Sequence, residues 1–88
     1  MTTVMSDVAI QMQEMTLNVL RIEAPIGFLQ PDTNLYELGL ESLNVVELLT
    51  QIEMTFDLTI DVEDLDAALF SRFGNLVDFV EAKIAARG

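Results

Sequence analysis

Cysteine and histidine are both absent from the 88 residues. Without cysteine no disulfide staples the fold, and no thiol can act as nucleophile or metal ligand. Without histidine the commonest general base and the commonest metal ligand are missing. Glycine occurs four times and proline twice, too few for a loop-rich or many-turned β architecture. Four basic residues stand against fifteen acidic ones, giving a net charge of −11. Such a chain repels nucleic acid and anionic membrane surfaces and attracts basic protein patches. No apolar run approaches the roughly 20 residues needed to cross a bilayer. Met1 to Ile10 contains Asp7 and no Lys or Arg, which is not the pattern of a signal peptide. The expected partners therefore include neither nucleic acid nor membrane. The expected setting is the cytoplasm, with which the lack of cysteine is compatible.

What is present favours helix. Hydrophobic residues make up 51% of the chain, enough to bury a core, and Leu, Met, Ala and Glu are frequent. A chain of this length is expected to form a single domain over residues 1–88. The first helix is expected from about Thr3 to Arg21, with Val8, Met12, Met15 and Val19 on one stripe, ended by Pro25 and Gly27. A long connection of about 19 residues, Glu23 to Glu41, follows. Phe28, Leu29, Leu35, Tyr36, Leu38 and Leu40 are spread through it and are expected to pin it to the core.

A second helix opens at Ser42, which reads as an N-terminal cap. Leu43, Val46, Leu49 and Ile52 recur at helical spacing after it, with Phe56 one turn on. Phe56 to Ile60 alternates like a strand, but a lone strand leaves its backbone unpaired. A short third helix is expected from Asp61 or Val62 through Leu65 and Leu69, with acids in its first turn, where the helix dipole favours them. The last helix should begin between Ser71 and Asn75 and run to about Ala86, with Leu76, Val80 and Ile84 on one stripe. The fold class is all-α: a bundle of three longer helices and one short, with a long loop between the first two. The expected core is Val8, Met12, Met15, Val19, Leu35, Val46, Leu49, Ile52, Phe56, Leu65, Leu76, Val80 and Ile84.

The stretch that carries chemistry is Leu38-Gly39-Leu40-Glu41-Ser42-Leu43-Asn44-Val45-Val46-Glu47-Leu48. It sets one serine at the N-terminus of an amphipathic helix, at the end of a long loop. An anion there meets unpaired backbone N–H groups and the positive end of the helix dipole. Spacing alone is equally satisfied by a serine that simply caps the helix.

Leu38-Gly39-Leu40-Glu41-Ser42-Leu43 resembles the phosphopantetheine attachment motif of the acyl carrier protein family, usually Leu-Gly-x-Asp-Ser-Leu. The similarity continues through Val46-Glu47-Leu48, Ile52-Glu53, Phe56, Ile60 and Phe73-Gly74-Asn75-Leu76, and spans roughly Asp32 to Ile84. The resemblance implies a free-standing carrier protein of the four-helix carrier fold, expected as a monomer. It implies that Ser42 bears 4'-phosphopantetheine, transferred from coenzyme A by a Mg²⁺-dependent phosphopantetheinyl synthase. The arm's thiol would hold acyl intermediates as thioesters for loading and processing enzymes with basic surface patches. Glu41, Leu43, Asn44, Val46, Glu47 and Glu53 are the residues expected to meet those partners. Val46 has a second candidate role in the core, and Glu47 and Glu53, six residues apart, do not share one narrow stripe.

Departures are informative. Glu41 stands where the family usually has Asp, Asn44 where many members have an acid, and Met54 where many have Glu. They imply a specialised partner set, within a fatty-acid or polyketide type of pathway. An aminoacyl or peptidyl carrier of a non-ribosomal-peptide type of pathway is the alternative. No basic residue falls between Ile22 and Ser71, whereas most of the acidic ones do, so basic partners are steered to that region.

Other function classes fare worse. Gly39-Leu40-Glu41-Ser42-Leu43 lacks the final glycine of a nucleophile elbow, and no histidine completes a triad. The chain is therefore not expected to be an enzyme. A calcium loop starting at Asp61 needs Gly at 66 and Glu at 72, where the chain has Asp66 and Arg72. No metal site is expected. An acidic helical adaptor without a prosthetic group is the remaining rival.

Overall fold

The computed structural model describes residues 7–25 and 27–87. Helix α1 spans Asp7–Leu20, α2 Ser42–Phe56, α3 Ala68–Ser71 and α4 Phe73–Arg87. Two 3₁₀ turns, Leu35–Leu38 and Val62–Asp64, lie between them. Among the described residues there is no strand, and Phe56 ends α2 rather than beginning one. The expected start of the first helix at Thr3 lies outside the described residues.

The core is drawn from all four α-helices. Met12, Met15, Leu17 and Val19 of α1 meet Leu48 and Ile52 of α2, Leu69 and Phe70 of α3, and Phe73, Leu76, Val77 and Val80 of α4. Of the expected core, Met12, Met15, Val19, Leu35, Ile52, Leu76 and Val80 are buried. Val8, Leu49, Phe56, Leu65 and Ile84 are half-buried against it. Val46 does not belong there: it is 61% exposed. At 100° per residue, Val45, Leu48, Leu49, Ile52 and Phe56 define the inner face of α2, and Val46 turns away from it.

The long loop, from Arg21 to Glu41, is built rather than draped. Gln13 is 1% exposed and its side chain reaches across from α1. Its Oε1 accepts from the N–H groups of Gly27 (3.0 Å) and Leu29 (3.2 Å), and its Nε2 donates to the Pro25 carbonyl at 3.3 Å. Leu29, Leu35 and Leu40 are buried from the loop side, while Phe28 and Tyr36 stay partly exposed. Further on, the loop receives the start of α4. The Phe73 N–H donates to the Thr33 carbonyl (2.8 Å) and the Gly74 N–H to the Pro31 carbonyl (2.7 Å), so two donors without helical partners are satisfied by loop backbone. A Cβ at Gly74 would lie 2.9 Å from the Pro31 oxygen, so this approach needs glycine.

The expected third helix is two pieces. The 3₁₀ turn Val62–Asp64 and α3 are separated by Leu65, Asp66 and Ala67. Asp66 Oδ1 accepts from the Leu69 N–H at 3.1 Å, which makes it a starting signal for α3 rather than a residue inside one continuous helix. No helix among the described residues is long and apolar enough to cross a membrane.

Candidate functional site

The chain turns sharply before Ser42. Asn34 Oδ1 accepts from the Tyr36 N–H at 2.9 Å and so starts the 3₁₀ turn. Gly39, at φ 101°, ends it in the left-handed region that a side chain would resist. Its N–H returns to the Tyr36 carbonyl (3.1 Å), and that of Leu40 to the Leu35 carbonyl (3.2 Å). Leu40 is then buried, which fixes where the next two residues emerge.

Those residues are Glu41 and Ser42, and the cap is Glu41, not Ser42. Glu41 holds the extended backbone of a cap (φ −118°, ψ 173°). Its carbonyl accepts the first helical bond, from the Val45 N–H at 2.9 Å. Its own N–H donates to Asn44 Oδ1, also at 2.9 Å. Ser42 is thus the first residue inside α2. Its side chain is exposed, and no hydrogen bond of its hydroxyl is found among the described residues. Capping duty is carried by its neighbours, which leaves the hydroxyl available.

The surroundings suit a phosphodiester. The N–H groups of Ser42 and Leu43 have no partner within the helix, and the first turn of this 15-residue helix contains no acid. A cleft of about 620 Å³ opens beside Ser42, lined by Tyr36, Leu40, Val45, Leu65 and Phe70, with Glu41, Asp66 and Ala67 at its edge. The Tyr36 hydroxyl donates to the Ala67 carbonyl at 3.0 Å, and its ring meets Phe70 edge-on, with centroids 6.4 Å apart. Tyr36 therefore ties the loop before Ser42 to the wall formed by α3. A second groove of about 590 Å³, lined by Gln13, Met15, Leu17, Ile22 and Gln51 among others, holds no serine or threonine hydroxyl.

The remaining candidate residues fall into different settings. Leu43, Val46 and Glu47 are exposed on α2 close to Ser42. Asn44 is half-buried and occupied with the Glu41 backbone. Glu53 is half-buried and faces the other end of the helix, where its Oε2 accepts from the Ile60 N–H at 2.8 Å. The structure brings Glu41, Ser42, Leu43 and Asn44 together and leaves Glu53 apart. Tyr36, Leu65 and Phe70, the outer walls of the cleft, were not among the sequence candidates. Tyr36, a large ring in a loop just ahead of the motif, was the one available signal.

A search of curated proteins finds no match to this chain. A family model, described as the phosphopantetheine attachment site, matches residues 11–80, well over half of the 88. That segment contains α2, the loop before it, the cleft and nearly all of the core. Members of this family attach 4'-phosphopantetheine covalently, act as non-catalytic carriers, and work with phosphopantetheinyl transferases and biosynthetic enzymes. With a free serine at the mouth of α2 and a matched family segment around it, this chain belongs to the phosphopantetheine-binding carrier proteins.

Proposed function

We propose that Ser42 is the attachment residue and that this carrier holds acyl intermediates for partner enzymes of a specialised fatty-acid or polyketide type of pathway. The observation that carries the assignment to Ser42 is its exposed hydroxyl, which is free of hydrogen bonds among the described residues and sits in the first turn of α2. Attached phosphopantetheine supplies a terminal thiol that carries its cargo as a thioester. The protein's part is to present the serine, to hold the phosphate near the first N–H groups of α2, and to offer an apolar surface nearby. Leu40, Val45, Leu65 and Phe70 make the cleft beside Ser42 predominantly apolar, which favours an acyl cargo over a charged aminoacyl one.

The chain does not need to catalyse anything in this role. With no histidine to activate its own serine, it serves as a substrate of the synthase. The working compartment is proposed to be the cytoplasm, because the thiol of the arm must stay reduced to bear a thioester. Partner enzymes bind through basic patches, since no Lys or Arg lies between Ile22 and Ser71. Tethering keeps the cargo at high effective concentration while the docking itself stays weak.

Mass spectrometry tests the proposal. The protein is incubated with coenzyme A, Mg²⁺ and several broad-specificity phosphopantetheinyl synthases. The expected result is a gain of one phosphopantetheine, lost in Ser42→Ala. No gain with any synthase would favour a helical adaptor without a prosthetic group. Loading of the modified protein by acyl-transferring enzymes but not by amino-acid-adenylating ones is expected; the reverse would assign an aminoacyl or peptidyl carrier.

A further inference from the structure

The turn that ends α1 builds a groove away from Ser42. Arg21 adopts the left-handed conformation, at φ 60°, and the Ile22 N–H returns to the Leu17 carbonyl at 2.9 Å. Ile22, Glu23 and Ala24 are thereby folded back beside Leu17 and Asn18, and with Gln51 of α2 they border a groove of about 590 Å³. Two ties hold its walls. Gln13 fastens the loop at Pro25, Gly27 and Leu29. The Thr55 hydroxyl donates to Met15 Sδ at 3.6 Å and so joins α1 to α2. The groove is therefore formed before any ligand arrives, which lowers the cost of filling it.

The lining is amphipathic. Met15 and Leu17 are buried and Ile22 and Ala24 half-buried, so the floor is apolar. Glu14 and Glu23 are exposed at its edge. The side chains of Glu14, Asn18, Glu23 and Gln51 have no hydrogen-bond or ion-pair partner among the described residues. Arg21, the base nearest in sequence, is not part of the lining. Two unpaired carboxylates over an apolar floor are complementary to cations carried on an apolar body. A second copy is a poor occupant, since each copy carries a net charge of −11. Anionic lipid is disfavoured for the same reason. Cargo on Ser42 starts from the wrong side. Gln51 is nine residues beyond Ser42. At 100° and 1.5 Å per residue, the two point in opposite directions from α2, about 14 Å apart along its axis.

We infer that this groove is a tethering site for a short segment of a partner enzyme that sets apolar side chains on Met15, Leu17, Ile22 and Ala24 and basic ones on Glu14 and Glu23. The opposed placement of Gln51 and Ser42 is what gives such a site its use. A partner held in the groove leaves the serine clear, so the carrier stays with that partner while Ser42 is presented to an active site. Contact at the serine then stays brief, because the tether and not the active site maintains the local concentration. The tethering role rests on the proposed function at Ser42; the binding of a basic, apolar segment does not.

The probe is a blocked six-residue peptide, two leucines flanked on each side by two lysines, titrated into the unmodified ¹⁵N-labelled protein. Amide shifts are expected to concentrate at Glu14, Met15, Asn18, Ile22 and Gln51. Shifts centred instead on Glu41 to Glu47 or on Asp57 to Asp66, or spread evenly over the acidic surface, overturn the inference. The double variant Glu14→Gln/Glu23→Gln should weaken binding about five- to tenfold. Glu37→Gln/Glu63→Gln changes the net charge equally and should stay within about twofold of wild type. Equal weakening of the two double variants would mean that total charge alone attracts the peptide, and overturns the site. A peptide with serine in place of leucine should bind at least about fivefold more weakly; equal binding would mean that the apolar floor is unused, and overturns it too. Finally, a synthase that modifies the wild type should transfer phosphopantetheine to Ser42 within about twofold of its normal rate when the peptide saturates the protein. A block would show that the groove does not leave the serine clear, and overturns the tether. The mapping does not depend on modification, so its failure strikes this inference alone. Failure of every synthase to modify Ser42 strikes the proposed function, and the tethering of a carrier with it.

Discussion

The backbone N–H of Glu41 is held by the side chain of Asn44, at 2.9 Å from Oδ1. The bond closes the first turn of α2 across Ser42 and Leu43, so the serine lies inside a loop whose two ends are fastened together. Asn44 is thereby a positioning residue for the proposed attachment serine, whatever else its exposed part touches. Asn44→Ala should cost about 0.5 to 1 kcal/mol, the range for losing a capping bond. Asn44→Asp keeps the acceptor, adds a negative charge where the helix dipole favours one, and should melt at or above wild type. Amide exchange at Glu41 should quicken in Asn44→Ala alone. Equal melting of the two variants would show that the bond does not hold the turn.

A second prediction concerns the phase of α2. Leu48 is fully buried, whereas Val46 is 61% exposed. Leu48→Ala should cost about 2 to 5 kcal/mol, a large share of the stability of so small a domain. Val46→Ala should change stability by less than about 0.5 kcal/mol. Denaturant melts of the two variants check the difference directly; a costly Val46→Ala would mean that the helix is turned the other way.

This phase marks where the sequence could be read and where it could not. In α1 and α4 the apolar positions Met12, Met15 and Val19, and Leu76 and Val80, leave one consistent stripe, and the helices follow it. In α2, Leu43, Val45, Val46, Leu48, Leu49 and Ile52 cover most of the circumference. A stripe through Leu43 and Val46 fits helical spacing as well as one through Val45 and Leu48. Only packing against α1 selects between them. The start of α2 at Ser42 was legible because the motif around it is local. The serine's freedom from capping was not, since that depends on a bond between Glu41 and Asn44 that serine propensity alone hides. The cleft was least legible of all, because its Tyr36–Ala67 contact joins residues 31 apart in the chain. The single third helix failed for an electrostatic reason: Asp61, Glu63, Asp64 and Asp66 repel along one short segment, and Asp66 gains more by binding the Leu69 N–H than by extending a helix.

The third prediction tests how the long loop is held. Among the described residues, Gln13 is the one buried side chain that bonds three loop backbone groups, on Pro25, Gly27 and Leu29. Gln13→Leu keeps approximate volume and removes every bond. The loop groups are then left unpaired or must move toward water, at a cost of about 2 to 4 kcal/mol. Hydrogen exchange should quicken at Gly27 and Leu29 before it does in α4. A variant that melts like wild type, with those amides still protected, would show that apolar contacts at Leu29 suffice.

The last prediction follows from the contact between Lys83 of α4 and Asp64 of the second 3₁₀ turn, 2.6 Å apart. The hydrogen bond from Lys83 holds the Asp64 carboxyl below the usual carboxylate range. The same bond raises the Lys83 ammonium above its ordinary value. The two shifts act at opposite ends of the pH scale. Asp64, lowered on folding, contributes stability above the pKa of an unfolded carboxyl, and that contribution fades as pH falls through its folded value. Lys83, raised on folding, contributes fully below the pKa of an unfolded lysine, and that contribution fades as pH rises through its folded value. A coupling is therefore expected across the neutral range and should vanish at both extremes. Both groups are solvent-accessible, so salt should weaken it throughout. Lys83→Met preserves an apolar stem near Phe79, whose ring centre lies 5.7 Å from the ammonium. Asp64→Asn removes the partner charge. The double-mutant cycle isolates the pair from the change in net charge that each substitution also brings. Melting temperatures across the pH range should show a coupling that is small, salt-sensitive and confined between the two titrations; a coupling that persists in acid below both carboxyl values would mean that packing, not charge, joins the turn to α4.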